Sequence, residues 1–205
     1  MKPKLIIFPY NGNGLEAFDA IADQYDFIGF ADDTKTKQGK HEHFEVFPRE
    51  IIHQYKEAKV LAVIGSVQNY LQRKTIIDQL GLEEKRFATL IHPKATVSKL
   101  SSIGFNTLIM AGVNVTSNGI IGNHVCVLPN TVLHHDITVG DYTLIGSNVT
   151  VAGGVQIGAH CYIGSASSMI SNISIGEKTL VGIGANVLKN IPAGSKAVGN
   201  PARLI

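Results

Sequence analysis

The sequence has little of what would place it in several common protein classes. It has no Trp and only two Cys, and charged residues make up 17% of its 205 residues. Its formal net charge of +2 argues against a nucleic-acid-binding protein, because such proteins concentrate basic residues on one face. Cys126 and Cys161 fall in different positions of the repeat described below, one expected outward and one inward. We therefore expect no disulfide and a reducing, cytoplasmic setting.

The chain also has no long apolar run. Its apolar segment at residues 5–8 is too short for a signal peptide. Residues 100–135 contain no Asp, Glu, Lys or Arg, but Asn, Ser, Thr and Gly recur through them at six-residue spacing. A continuous apolar helix is incompatible with that pattern, so the sequence predicts no membrane span.

What the sequence has instead is a six-residue repeat. Every sixth residue is aliphatic or Met, and the residue two positions earlier is small or β-branched. The series is Ile91, Val97, Ile103, Ile109, Val115, Ile121, Val127, Leu133, Val139, Ile145, Val151, Ile157, Ile163, Met169, Ile175, Val181 and Val187. Gly often follows the aliphatic residue, and we expect it at turns where the backbone needs a positive φ.

A period of six fits neither an α-helix nor a simple alternating strand. It predicts a solenoid in which each hexad forms one short strand and one corner, with the aliphatic side chain inward. Three hexads close a triangular coil of eighteen residues, which stacks on the next coil at about 4.8 Å. The repeat therefore predicts a parallel β-helix of five to six coils.

The first part of the chain follows a different pattern. We predict strands at residues 4–8, 27–31 and 60–64, and helices at residues 15–24, 49–55 and 68–80. Arg73 and Lys74 are expected on the polar side of the last helix. Alternation of strands and helices predicts a small, Rossmann-like parallel sheet. We therefore predict two domains, an α/β domain over residues 1–86 and a β-helix over residues 87–205.

The loop after the first predicted strand is a candidate phosphate-binding loop. Gly12, Gly14 and Ala17 match the loose dinucleotide fingerprint, and two acidic residues follow at the distance where a carboxylate meets a ribose hydroxyl. A tight turn that needs glycines explains the loop equally well. The sheet is small, which favours a mononucleotide or a nucleotide sugar over a full dinucleotide. The candidate binding residues are Gly12, Gly14, Asp32, Asp33 and, after the third strand, Gly65.

The segment His134-His135-Asp136 is the candidate for chemistry. None of the three occupies the inward position of the hexad, so their side chains should face outward. A carboxylate fixes the tautomer of a neighbouring imidazole and raises its basicity, which suits a general base. Gly153 is eighteen positions after His135 and should lie one coil away, with a backbone N–H available to an oxyanion. The alternative is an exposed polar corner with no chemical role.

Two other histidines have a spacing typical of metal ligands. His124 and His160 are two coils apart and share a face, as in β-helical carbonic anhydrases. A catalytic zinc site needs three protein ligands, and Ser165 stands where the third His would be. We therefore expect no metal.

Together these features resemble the hexapeptide-repeat, left-handed β-helix acyltransferases, and among them the PglD/NeuD-like bacterial sugar acetyltransferases. The resemblance covers essentially the whole chain. It rests on the repeat, on the motif His135-Asp136-x-x-x-Gly140 with Gly153 after it, and on the sequence Gly-Asn-Pro-Ala-Arg at residues 199–203. It implies a cytoplasmic homotrimer that binds acetyl-CoA in the groove between neighbouring β-helices.

The resemblance also implies roles for individual residues. His135 would take the proton of an attacking sugar amine or hydroxyl, Asp136 would orient His135, and the amide of Gly153 would bind the thioester carbonyl. The pantetheine arm would lie near Ser165, Gly182 and Ile183. The nucleotide of the sugar substrate would be held by the N-terminal domain, through Gly12, Asn13, Gly14, Asp32, Asp33 and Gly65.

The sequence departs from the family pattern in three places. Asn13 replaces a His of the first loop, Asp136 replaces the Glu of some members, and Leu144 stands where some members have a second His. We expect an acetyl-CoA-dependent N-acetyltransferase acting on a nucleotide-linked amino sugar. The alternatives are O-acetylation of a sialic-acid-type sugar, a metal-dependent hydratase of the γ-carbonic-anhydrase type and a non-catalytic scaffold.

Overall fold

The N-terminal domain is built around a small, mostly parallel sheet. The computed structural model describes residues 2–21 and 24–205. The strands are β1 (Lys4–Phe8), β2 (Asp26–Ala31), β3 (Gly39–Lys40), β4 (Glu45–Phe47) and β5 (Lys59–Ala62), in the order β3-β4-β2-β1-β5. All neighbours are parallel except β3 and β4. The three predicted strands are confirmed, whereas the antiparallel β3–β4 pair was missed because its strands are only two and three residues long.

The helices of this domain differ from the prediction mainly at their ends. They are α1 (Gly12–Ala20), α2 (Ile51–Gln54) and α3 (Arg73–Asp78), with 3-10 turns at Lys35–Lys37, Tyr70–Gln72 and Glu84–Arg86. Helix α1 begins earlier than residue 15 because the Asn11 side chain caps it, accepting a hydrogen bond of 2.8 Å from the Gly14 N–H. The predicted end of this helix includes residues 22 and 23, which lie outside the described residues.

The repeat forms a solenoid of two-residue strands. Each of the seventeen strands from β6 to β22 ends on the predicted aliphatic residue, and partners are eighteen residues apart, as in Val115 opposite Leu133. The strands are Leu90–Ile91, Thr96–Val97, Ser102–Ile103, Leu108–Ile109, Asn114–Val115, Ile120–Ile121, Cys126–Val127, Val132–Leu133, Thr138–Val139, Leu144–Ile145, Thr150–Val151, Gln156–Ile157, Tyr162–Ile163, Ser168–Met169, Ser174–Ile175, Leu180–Val181 and Asn186–Val187, followed by β23 (Lys196–Val198) and β24 (Arg203–Leu204). They form three sheets of six, five and eight strands, and the predicted triangular coil is confirmed.

The glycines after the aliphatic residues have a different role from the one predicted. Positive φ occurs three residues before the aliphatic residue, with values of 50 to 61° at Asn106, Asn118, His124, Asn130, Asp136, Tyr142, Asn148, His160, Ala166, Asn172 and Lys178. The glycines allow a close approach of the next coil. A Cβ on Gly158 would lie 2.6 Å from the Glu177 nitrogen, and one on Gly164 would lie 2.5 Å from the Ile183 nitrogen.

The corners of the coils form three edges of a triangular prism. We name each edge after one of its residues. The Ser165 edge comprises residues 92–95, 110–113, 128–131, 146–149, 164–167 and 182–185. The His135 edge comprises residues 98–101, 116–119, 134–137, 152–155, 170–173 and 188–191. The His124 edge comprises residues 104–107, 122–125, 140–143, 158–161, 176–179 and 192–195.

The N-terminal domain covers the eight-stranded sheet, which lies between the His124 and Ser165 edges. The first residues of four strands in this sheet are apolar and buried, namely Leu90, Leu108, Cys126 and Leu144. Cys126 belongs to the same row, so it is buried rather than solvent-facing as predicted. Cys161 is buried in the solenoid, and both are free thiols. The His135 edge is opposite the covered sheet.

Polar groups fix the two domains to each other. The side chain of Asn106 accepts a hydrogen bond from the Ala62 N–H and donates one to the Ala62 carbonyl, at 2.7 and 3.1 Å. Arg73 was predicted on a polar helix face, but it is only 1% exposed. It donates to the backbone carbonyls of Tyr142 and His124, and its Nη1 has no partner among the described residues. Burial lowers the pKa of Arg73 to about 10, so it stays cationic at neutral pH.

None of the helices in residues 2–21 and 24–205 has the length and apolar character needed to cross a bilayer. The 3-10 turn at Glu84–Arg86 ends the N-terminal elements, and β6 begins at Leu90. The boundary between residues 86 and 87 stays a prediction, and Phe87 pairs with Val60 of the N-terminal sheet.

Candidate active site

The His135 edge carries an exposed imidazole–carboxylate pair. His135 Nδ1 lies 2.7 Å from Asp136 Oδ2, and the two side chains are 63% and 56% exposed. Asp136 has a left-handed backbone with φ of 60°, which short polar residues tolerate at this corner. Its other oxygen, Oδ1, accepts a hydrogen bond of 2.9 Å from Asn118 Nδ2, one coil away. Hydrogen bonds from Asn118 and then His135 lower the pKa of Asp136, so the carboxylate is ionised at neutral pH.

Gly153 lies directly against the His135 ring. A Cβ on Gly153 would be 2.5 Å from Cε1 and 2.6 Å from Nε2 of the imidazole, so the ring occupies the space of a missing side chain. The Gly153 N–H donates no hydrogen bond within the described part of the chain. Gly153 itself is buried beneath the ring. The eighteen-residue spacing thus brings together the residues for which we predict a base and an oxyanion donor.

The residues predicted to contact the pantetheine arm lie on a different edge. Ser165, Gly182 and Ile183 follow the Ser165 edge from one coil to the next. The Ser165 hydroxyl accepts a hydrogen bond of 3.1 Å from the Ser147 N–H, and the Ile183 side chain is strongly exposed. Within one chain, the six-stranded sheet, whose outermost strands are β7 and β22, separates this edge from His135.

The first loop of the N-terminal domain meets the Ser165 edge. Asn13 Nδ2 donates a hydrogen bond of 3.3 Å to the Gly65 carbonyl, which joins the ends of β1 and β5. A cavity of about 160 Å³ lies there, lined by Asn13, Gly65, Ser66, Leu128, Leu144, Ile145, Gly146 and Tyr162. Gly12 opens α1 and has open space where a side chain would be. Residues of the loop and of the edge therefore line the same cavity.

The two acidic candidates at the end of β2 have different surroundings. Asp32 is buried and accepts hydrogen bonds from Lys37 Nζ at 3.0 Å and the Thr34 N–H at 2.8 Å. Burial alone would raise the pKa of Asp32, but these hydrogen bonds lower it overall. Asp33 is exposed and pairs with Arg49. The ion pair between Lys37 and Asp32 was not predicted from the sequence. The position of Lys37, five residues after Asp32, was the one indication of it.

His124 and His160 share the His124 edge, but another ring separates them. The Tyr142 ring stacks between them, with centroid distances of 4.4 Å to His124 and 5.1 Å to His160. An ion bound by both imidazoles would occupy the position of this ring. His124 Nδ1 also lies 2.8 Å from Asn106 Nδ2, and burial lowers the pKa of His124 to about 4. His124 lies at the domain interface, where its carbonyl accepts a hydrogen bond from Arg73, and His160 continues the ring stack along the edge.

The geometry thus divides the predicted site residues into two groups. The first-loop residues, Gly65 and the Ser165 edge border the covered sheet. His135, Asp136 and Gly153 are on the opposite edge. A single chain does not bring the two groups together.

Comparisons with known proteins agree with this architecture. Residues 136–168 match the family described as bacterial transferase hexapeptide (six repeats). A stretch of 80 residues is 36% identical to UDP-N-acetylbacillosamine N-acetyltransferase of Bacillus subtilis (strain 168). That match spans 39% of this chain and only 37% of the relative's length.

Several solved structures match the whole chain, among them the following two. The acetyltransferase domain of PglB from Neisseria gonorrhoeae FA1090, in complex with acetyl coenzyme A, has a TM-score of 0.89 and 25% identity, covering 100% of both chains. A variant of perosamine N-acetyltransferase from Caulobacter crescentus, in complex with CoA and GDP-perosamine, has a TM-score of 0.88 and 21% identity, covering 100% of this chain and 97% of that one. The predicted α/β domain followed by a left-handed β-helix is confirmed. In its repeat and its full-length fold, the chain is similar to bacterial sugar acetyltransferases built on hexapeptide repeats.

Proposed function

We propose that the chain is an acetyl-CoA-dependent N-acetyltransferase acting on the amino group of a nucleotide-linked amino sugar, in the cytoplasm and in the synthesis of a bacterial glycan. The observation that carries the proposal is the exposed His135–Asp136 pair, with a glycine at position 153, where a side chain would displace the imidazole. The full-length likeness to an acetyltransferase domain bound to acetyl coenzyme A supports the acyl donor.

The chemistry needs a base but no covalent acyl-enzyme. The acceptor nitrogen attacks the thioester carbon, an N–C bond forms and the C–S bond breaks. His135 Nε2 accepts the proton lost by the nitrogen, and this proton then neutralises the CoA thiolate. Cys126 and Cys161 are unsuited to be nucleophiles, since burial raises the pKa of each thiol to about 11. The Gly153 N–H is the candidate donor to the thioester oxygen.

The family resemblance implies a homotrimer, and active sites between its subunits would unite the two groups of residues that a single chain keeps apart. The base of one copy would meet the Ser165 edge and first loop of its neighbour. Ser165, Gly182 and Ile183 would hold the CoA arm, and Gly12, Asn13, Gly14, Asp32, Asp33 and Gly65 are the candidate residues for the nucleotide sugar. Both acids have a basic partner, but Asp32 is buried and Asp33 is exposed, so Asp33 is the better placed of the two to meet a ribose.

The first experiment is a thiol-release assay with acetyl-CoA and a panel of nucleotide amino sugars and free sialic acids. Wild type, His135→Ala and His134→Ala should be compared, because His134 is on the same corner but outside the pair. We expect release with an amino sugar, abolished in His135→Ala and retained in His134→Ala. Release with sialic acid alone would favour O-acetylation. Equal inactivity of all three proteins would favour a scaffold, and a stoichiometric zinc content would favour a hydratase.

The assembly has its own test. Gly12→Glu would place a carboxylate in the first loop without a steric clash and should block the nucleotide phosphates. Neither His135→Ala nor Gly12→Glu should be active alone. Co-refolded in equal amounts, they should recover roughly a quarter of wild-type activity, because one interface in four would combine an intact base with an intact loop. A mixture as inactive as its components would contradict sites shared between copies.

A further inference from the structure

Three side chains form a continuous line of hydrogen bonds on the His135 edge. Asn118 Nδ2 donates to Asp136 Oδ1 at 2.9 Å, and Asp136 Oδ2 faces His135 Nδ1 at 2.7 Å. Asn118 and Asp136 occupy the same corner position in successive coils, with φ of 59 and 60°. Their side chains therefore leave the backbone in the same direction, one above the other.

The line of contacts determines which imidazole nitrogen is available for chemistry. An ionised carboxylate only accepts hydrogen bonds, so the proton of a neutral His135 belongs on Nδ1, facing Asp136. Nε2 then carries the lone pair and lies on the side of the ring against Gly153. An exposed Asp alone is free to rotate away from the imidazole. Asn118 opposes that rotation because it occupies the second carboxylate oxygen.

Asn118 differs in this respect from the other asparagines that turn the corners. Asn130, Asn148 and Asn172 have the same left-handed backbone, with φ of 55 to 61°. Within residues 2–21 and 24–205, Asn118 is the one among these four that donates to a carboxylate. The left-handed backbone of Asn118 explains why Asn is suitable at this turn, but it does not explain the hydrogen bond from its side chain to Asp136.

We propose that Asn118 is a positioning residue, which holds the Asp136 carboxylate in the orientation that keeps His135 in its Nδ1–H tautomer. The inference rests on the proposed acetyl transfer, in which Nε2 of that tautomer is the base. Asn118 touches neither acceptor nor thioester in this scheme and acts through Asp136. The side chain of Asp is one carbon shorter than that of Glu, so fewer of its orientations bring the carboxylate to His135. A hydrogen bond from Asn118, one coil away, favours the orientation that does.

The test compares Asn118→Ala with Asn172→Ala. Both replace Asn at a left-handed corner of the same edge, so both remove the same turn preference and should lower the melting temperature equally. We expect kcat of Asn118→Ala to fall about tenfold, since a hydrogen bond to a charged group is lost, with KM for both substrates unchanged. Asn172→Ala should keep the wild-type kcat. Equal kcat in the two variants, whether both normal or both reduced, would overturn the proposal.

A spectroscopic measurement separates this inference from the proposed function. Nitrogen-15 NMR of the imidazole side chains reports the Nδ1–H and Nε2–H tautomers of His135 directly, with no substrate present. The other ionisable groups of this edge are His134, Lys99 and Lys189, and the two variants leave them in place. We expect a dominant Nδ1–H tautomer in wild type and Asn172→Ala, and a mixture in Asn118→Ala. A tautomer ratio that Asn118→Ala leaves unchanged would overturn the proposal even in a protein without acetyltransferase activity.

Discussion

Replacing Gly153 by Ala tests the site at its tightest contact. The added Cβ would lie 2.5 Å from Cε1 and 2.6 Å from Nε2 of His135, against roughly 3.4 Å or more for ordinary contact between such atoms. The imidazole must therefore move by about 1 Å. It has room to do so, because the side chain is 63% exposed and can swing toward solvent. The displacement separates Nδ1 from Asp136 and moves Nε2 from its working position.

The expected loss is large in activity and small in stability. A misplacement of about 1 Å at a catalytic group costs on the order of 100-fold in rate, or about 2.7 kcal/mol of transition-state stabilisation. No buried packing is lost, so the free energy of unfolding should change by less than about 1 kcal/mol. Gly153 is not among the residues with positive φ, and the backbone therefore accepts Ala.

The assay is steady-state thiol release at saturating acetyl-CoA, together with urea unfolding. Ser171→Ala, one coil further on the same edge and exposed, is the matched control and should behave as wild type. If Gly153→Ala kept full activity while His135→Ala abolished it, the close contact between the ring and Gly153 would have no part in catalysis. An equal loss of activity in Ser171→Ala would point to a general disturbance of the edge.

Three further predictions concern the domain interface and the first loop. Arg73→Ala should lower the free energy of unfolding by about 3 kcal/mol, because the substitution leaves a cavity and removes the donor to two buried carbonyls. An unchanged urea midpoint would contradict this prediction. The pKa of His124 falls from 6.5 unfolded to about 4 folded, so its contribution to stability is complete above pH 6.5 and is lost as the pH falls toward 4. Between pH 6.5 and pH 4, the free energy of unfolding should fall more steeply for wild type than for His124→Gln, by up to about 1.4 kcal/mol per pH unit. Parallel plots of unfolding free energy against pH for the two proteins would refute this prediction. Gly12→Glu should abolish binding of the nucleotide sugar and leave the Kd for acetyl-CoA unchanged in calorimetric titrations, with Gly12→Ala as the neutral control. An unaltered Kd for the nucleotide sugar would remove the first loop from the binding site.

The solenoid was predictable from the sequence because its rules are local. The aliphatic residue of each hexad must fill the interior, and the eighteen-residue coil then fixes which residues are neighbours. The same arithmetic places Gly153 beside His135 and His124 in line with His160. The predicted role of the glycines, a positive φ, was wrong because the repeat shows where Gly recurs but not why. Close approach of the next coil and positive φ both favour Gly, and the sequence does not distinguish them.

Contacts between the domains were not accessible in this way. Arg73 reads as a surface residue, and its burial depends on backbone carbonyls of the His124 edge that are more than fifty residues away. Cys126 is hidden only because another domain rests on its sheet. Asn118 was overlooked for the opposite reason, since an Asn at a corner already has a sufficient explanation in its backbone conformation.

The strict eighteen-residue register also turns the β-helix into a ruler. Each coil advances along the axis by one strand spacing, so the height of the base relative to the first loop can change only in steps of about 4.8 Å. The first loop rests on Leu128 and Gly146, which flank His135 in the sequence, so the register sets the base and the loop at the same level along the axis.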